Sequence, residues 1–172
     1  MRIFRFLIFL VALQLNCASS GELATGKSVS KENVVISILG GKSTSTYLGF
    51  RNIEFRADPR VSSYDTIEIS FQNRSSHPLT IALLPTEGLL GNGEKIKLLY
   101  ANYCCSISEL ASQSFNDYKG FAPYKDIVLL PGEVEKRRLI FEVERGKRIE
   151  GLRFFQLDQT SQKYLEWLEV KL

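Results

Sequence analysis

Histidine, methionine and tryptophan each occur once in these 172 residues, and cysteine only three times. Each scarcity closes off a class of chemistry. With His77 alone there is no second imidazole to share a metal, and no Cys-x-x-Cys pair offers thiolates at tetrahedral spacing. There is no Gly-x-Ser-x-Gly elbow to expose a serine nucleophile and no Asp-rich loop of the calcium-binding kind. Gly91-Asn92-Gly93 precedes an extended run rather than a helix, so it cannot cradle phosphate on helix N-terminal amides. Charge is nearly balanced, with 22 Lys+Arg against 19 Asp+Glu. Arg2 and Arg5 belong to a leader, and without them the basic count is 20, which leaves no footprint for nucleic acid. The expectation is a protein without catalytic residues, metal, cofactor or nucleic-acid partner.

What is present begins at the N-terminus. Met1–Arg5 carries two arginines and no acid, Phe6–Leu15 is apolar apart from Gln14, and Ala18-Ser19-Ser20 are small. A positive start, a short apolar core and a small-residue exit make an export signal, too short for a permanent membrane span. Leu13-Gln14-Leu15-Asn16-Cys17 resembles the lipobox of bacterial lipoproteins, with Gln14 and Asn16 where smaller residues are commoner. The resemblance implies cleavage before Cys17, lipid on its thiol, and a protein held on a membrane of the cell envelope. Cleavage after Ser20 is the alternative, which discards Cys17 and releases a soluble protein. Ala18–Lys31 is rich in Ser, Gly, Ala and Lys without an aromatic residue, the composition of a flexible tether. The organisation expected is therefore a signal over 1–16, a tether over 17–33 and one domain over 34–172.

Within that domain the dominant period is two. Thr66–Gln72 puts Ile67, Ile69 and Phe71 on one face, and Arg138–Glu144 does the same with Leu139, Phe141 and Val143. Turn formers punctuate the runs: Asn73–Pro78, Gly91–Gly93, Pro131-Gly132 and Arg145-Gly146. Further extended runs lie at Val34–Leu39, Tyr47–Arg56, Leu79–Leu84 (ending at Pro85), Glu94–Tyr100, Asp126–Leu130, Ile149–Leu157 and Tyr164–Leu172. Short strands at this spacing predict an all-β, antiparallel sandwich of immunoglobulin-like type. Glu133–Arg148 mixes both signs of charge and is expected to line a solvated strand face. Asn102–Tyr124 departs from the pattern as a long polar insertion, and Ser106-Ile107-Ser108-Glu109 within it has capping-box spacing for a short helix.

Two stretches carry a family resemblance. Tyr64–Ile81 (YDTIEISFQNRSSHPLTI) joins an alternating strand to an Asn-led turn, a proline and an apolar strand. Leu129–Phe155 adds a Leu-Pro-Gly-Glu turn feeding a strand with Phe-Glu-Val. Together they resemble the secreted, telokin-like immunoglobulin domain of unknown function that recurs on bacterial lipoproteins. The match spans Val34–Leu172 and implies a sandwich in which Leu139, Phe141 and Val143 face the sheet bearing Ile67, Ile69 and Phe71. That family shares no catalytic residues, so none is carried over, and the insertion is foreign to it. A weaker resemblance is to bacterial intracellular proteinase inhibitors of sandwich fold, which lack an export signal.

The remaining candidate residues sit in or near the insertion. Tyr103, Phe115, Tyr118 and Phe121 are aromatic anchors of the kind binding loops use, so this loop is the expected contact surface for an envelope protein partner. Cys104 and Cys105 are neighbours, able to close a vicinal disulfide in an oxidising compartment. A thiol-active envelope protein is the alternative that they support, and a secreted proteinase inhibitor is the other. Asn73-Arg74-Ser75 is a formal glycosylation sequon, His77 is expected as a solvated turn residue, and Trp167 as packing at a sheet edge.

Overall fold

The computed structural model describes residues 26–48, 54–103, 126–158, 161 and 163–172. Among them are twelve strands and no helix: β1 (Ser28–Lys31), β2 (Val34–Thr44), β3 (Thr46–Leu48), β4 (Glu54–Arg56), β5 (Ser62–Asn73), β6 (Leu79–Leu90), β7 (Lys95–Lys97), β8 (Tyr100–Tyr103), β9 (Ile127–Leu129), β10 (Val134–Glu144), β11 (Ile149–Asp158) and β12 (Lys163–Lys171). The first sheet runs β1-β2-β5-β10-β8 and the second β12-β11-β6-β7, with β9 also paired to β6. Every pairing is antiparallel. The short helix expected near Ser106 lies outside the described residues.

The period-two pattern places the core. Ile67, Ile69 and Phe71 of β5 and Leu139, Phe141 and Val143 of β10 are all buried. These strands are neighbours in one sheet, with Leu139 directly opposite Ile67, and do not sit on facing sheets as the resemblance implies. Both sets instead meet the second sheet, where Ile81, Leu83, Leu152 and Phe154 complete the layer. Phe71 contacts Phe154 edge-to-face at a centroid distance of 5.5 Å. Each such side chain contributes about 2 kcal/mol by leaving water.

Several boundaries differ from the sequence reading for identifiable reasons. Ser28–Lys31, placed in the tether by composition, forms β1 and pairs with Val34–Ser37. Glu32 and Asn33 both have positive φ (50° and 65°), the geometry of a two-residue hairpin whose twist matches its strands. Pro85 does not end β6. The chain from Ala82 to Glu87 spans only Phe155 to Arg153 on β11, so Pro85 lies in a bulge where a missing N–H costs no ladder bond. Glu94–Tyr100 is split, because β7 belongs to the second sheet and β8 to the first. Tyr47–Arg56 forms a two-stranded ribbon, β3 with β4, instead of one strand.

The sandwich has two ends. The upper end carries the turns Asp58–Val61, Gly91–Gly93 and Arg145–Arg148; the lower end carries Glu32-Asn33, Arg74–Pro78 and Pro131-Gly132. On one side the Lys31 ammonium donates to the Trp167 carbonyl, tying edge strand β1 to edge strand β12. Trp167 is the extra residue of a bulge in β12 and turns its ring into the core, so edge packing holds.

The outer face of β10 is only partly solvated. Arg138 reaches Glu68 through Nε at 3.1 Å and Nη2 at 2.6 Å, an exposed ion pair as expected. Ile140 on the same face is 1% exposed, because Tyr47 and Ala57 of the ribbon region pack over it together with Tyr64 and Tyr100. Truncating it to Ile140→Ala therefore costs about 2–4 kcal/mol in chemical denaturation. A change within about 0.5 kcal/mol, the value for a solvated position, contradicts the covered face.

Candidate functional site

The lower end is built around one fully buried polar side chain, Asn73. Its amide nitrogen donates to the His77 carbonyl at 2.7 Å and to the Leu129 carbonyl at 3.0 Å. Its amide oxygen accepts from the Ser75 N–H at 2.8 Å and the Ser75 hydroxyl at 2.7 Å. An amide has two donor hydrogens and two acceptor lone pairs, and here all are used. The backbone joins in: Asn73 N–H donates to the Glu133 carbonyl at 3.0 Å, and Gly132 N–H donates to the Asn73 carbonyl at 2.9 Å. Glu133 closes its own turn by accepting the Leu130 N–H at 2.8 Å. The two motifs that carry the family resemblance are thus one physical joint. The sequon is structural, since Asn73 has neither exposure nor a free hydrogen for a glycan. His77 is exposed, and its carbonyl does the work.

This joint positions the insertion. The chain leaves the first sheet at Tyr103, opposite Arg137, and returns at Ile127, opposite Ile81 in the second sheet. Its two stems therefore belong to different sheets. Arg137 occupies a core-facing register beside Ile69 and is 9% exposed, held by the Glu135 carboxylate and by the Lys136 carbonyl at 3.0 Å. A buried arginine at the root of a loop was hidden in the sequence by the mixed-charge run around it. Beyond the return, Val128 (58% exposed) and Leu130 (57%) alternate with buried Ile127 and Leu129, and Val134 is exposed across the Pro131-Gly132 turn. Of the residues singled out in the sequence, Cys17, Cys104, Cys105, Phe115, Tyr118 and Phe121 lie outside the described residues. Tyr103 is the last residue of β8.

Tyr100, which opens the same strand, is buried in a second small cluster on the outer face of the first sheet. Tyr47 stacks on Phe55 at 4.8 Å and meets Tyr64 edge-on at 4.7 Å. Burial, aided by the Glu142 carboxylate, pushes the Tyr64 phenol above its ordinary range. The cluster packs the ribbon down and leaves only the Phe55 ring substantially open. Near the upper end, Asp65 is fully buried and accepts the Ile149 N–H at 2.8 Å. Burial holds its carboxyl above the usual range, against the lowering effects of that N–H, the Ser43 hydroxyl and the Arg148 charge. Among the described residues no group of three His, Cys, Asp or Glu side chains is arranged to hold a metal ion.

Comparison with known proteins adds the fold. No family model matches the chain, and no curated protein does. A conserved hypothetical protein from Bacillus anthracis is similar in structure, with a TM-score of 0.51 at 13% identity over 86% of this chain and 96% of that one. The yjhA protein from Bacillus subtilis has a TM-score of 0.52 at 11% identity over 86% and 97%. Both are likenesses of fold, and at such identities they carry no activity across.

Two variants test these roles. Asn73→Ala is expected to lose about 3 kcal/mol in chemical denaturation, from stranded partners at both carbonyls and at Ser75. Asn73→Asp loses at least as much at neutral pH, because it aims a carboxylate at two carbonyls. For Asp65 the sign follows from its raised folded-state pKa: its stabilising contribution is full at low pH and is lost as pH rises through that value. The unfolding free energy of Asp65→Asn should therefore gain on that of the parent as pH climbs from about 4 towards neutrality. A gap that does not change with pH contradicts the buried, raised carboxyl.

Proposed function

We propose that this chain is an exported, lipid-anchored β-sandwich of immunoglobulin-like, telokin-like type that binds a cell-envelope protein and performs no catalysis. Support for export and anchoring comes from the leader and from Leu13–Cys17. Support for binding comes chiefly from one observation: the stems of the 104–125 insertion stand on different sheets beside the exposed side chains of Val128, Leu130 and Val134. A loop rooted in two sheets is presented by a rigid frame, and adjoining exposed apolar side chains favour a protein surface as partner. In this reading Tyr103, Phe115, Tyr118 and Phe121 are the aromatic anchors, Cys104-Cys105 stiffens the loop as a vicinal disulfide, and Cys17 carries the lipid.

The anchor is tested by the intact mass of the mature N-terminus. A diacylglycerol-modified Cys17 is expected; an unmodified start at Gly21 contradicts it. For the binding surface, the parent chain and a Val128→Ser, Leu130→Ser variant are used as bait in envelope extracts. The expected result is a partner retained by the parent and lost by the folded variant. Equal retention removes this face from the account.

A further inference from the structure

The two ends of the sandwich differ in charge and in their relation to the N-terminus. β1 runs from the middle of the first sheet to the lower end, with Ser28 opposite Ser37 and Lys31 opposite Val34. The chain before it therefore arrives from the direction of the upper end, where Gly26 N–H donates to the Ile38 carbonyl at 3.0 Å. Nine residues separate Cys17 from Gly26, a reach of about 30 Å when extended. Ile38 pairs with Ile69, and the strand from Ile69 up to Ser62 measures about 23 Å. A lipid on Cys17 thus brings the upper end to the bilayer without reversing the tether.

The upper end suits that neighbour. Val61 is 62% exposed, the most exposed of the large apolar side chains among the described residues. Its carbonyl accepts the Arg145 N–H at 2.9 Å, so the turn Arg145–Arg148 lies directly beside it. The carboxylates here have partners. Glu94 and Glu144 both grip Lys147, at 2.9 Å and 2.8 Å, and Asp58 accepts the Arg60 N–H at 2.9 Å and lies 3.8 Å from its guanidinium. Arg145 and Arg148 are exposed and make no ion pair among the described residues; Arg148 otherwise feels only the buried Asp65 carboxyl below it. At the lower end, by contrast, Lys31 is spent on the Trp167 carbonyl and Arg74 on Gln72, and the exposed side chains are apolar.

We propose that the upper end, through Arg145, Arg148 and Arg60 around Val61, docks on the anionic phospholipid surface of the membrane that holds the N-terminus. This rests on the lipid-anchor reading for its setting. Guanidinium groups near an anionic leaflet are attracted within a Debye length, and an exposed valine among them enters the headgroup region at little cost. Docked this way, the domain stands with the insertion stems and β9 turned towards the lower, membrane-distal half.

The test uses the full mature chain with Cys17→Ser, so that no lipid contributes, in co-sedimentation with vesicles. Binding is expected to vesicles of equal parts phosphatidylcholine and phosphatidylglycerol, to be absent with phosphatidylcholine alone, and to fall as salt rises. Removing two cations by Arg145→Ala with Arg148→Ala should lower the partition coefficient about thirty-fold. Val61→Ser gives a second, independent loss, and Leu130→Ser with Val134→Ser should bind like the parent. Thermal melts establish that each variant is folded. The proposal is overturned by a parent that ignores anionic vesicles, by arginine variants that bind equally, or by loss confined to the Leu130 and Val134 variant. None of these outcomes bears on lipidation itself, which the N-terminal mass decides separately.

Discussion

Asn73 is the interaction on which the lower half of this molecule depends. A buried primary amide is costly to desolvate unless every polar atom finds a partner, and here four hydrogen bonds satisfy it completely. The partners come from the β5–β6 turn and from β9, while the Asn73 backbone holds the turn into β10. One side chain therefore fastens the first sheet, which owns β5 and β10, to the second, which owns β6 and β9. Apolar packing supplies most of the stability but is indifferent to register. The directional bonds at Asn73 decide where β9 ends and where β10 begins.

That placement has consequences along the chain. β9 is only three residues long and pairs with β6 alone. Without the bond from Asn73 to the Leu129 carbonyl it would be a weak edge, and the return stem of the insertion would lose its position. The opposite end is organised differently, by Asp65 beneath the Arg145–Arg148 turn and by the aromatic ribbon over Ile140. The sandwich thus has a stiff, hydrogen-bonded lower end and a cationic upper end. A membrane at one end and a protein partner at the other is an arrangement consistent with both.

Much of this was legible in the amino-acid sequence because period-two patterning and turn residues are local signals. Ile67-Ile69-Phe71 and Leu139-Phe141-Val143 announce their strands and their inward faces without help. What they cannot announce is pairing: whether two such strands face or flank each other is settled by topology, and here they flank. Composition misplaced Ser28–Lys31, since a half-buried edge strand with serine and lysine on its outer side looks like a tether. Proline misplaced the end of β6, since a bulge removes the penalty for its missing N–H. Ile140 broke the outward alternation only because a ribbon some eighty residues earlier folds over it. The sequence motif at Asn73 was visible as a turn and as a sequon, whereas its role needed the Pro131-Gly132 turn brought alongside. Arg137 could not be picked out, because nothing local distinguishes a buried arginine from the charged residues on either side of it.

Amide hydrogen exchange at Ser75 and Gly132 tests the central claim most directly, because Asn73 accepts both N–H groups, one on its side chain and one on its backbone. If the joint opens only with the whole sandwich, both amides exchange at the rate set by global unfolding, and both accelerate with denaturant as the core strands do. Fast exchange at these turns, insensitive to denaturant while the β5 and β10 amides stay protected, would mean that the turns fray on their own and that the joint does not hold the two sheets together.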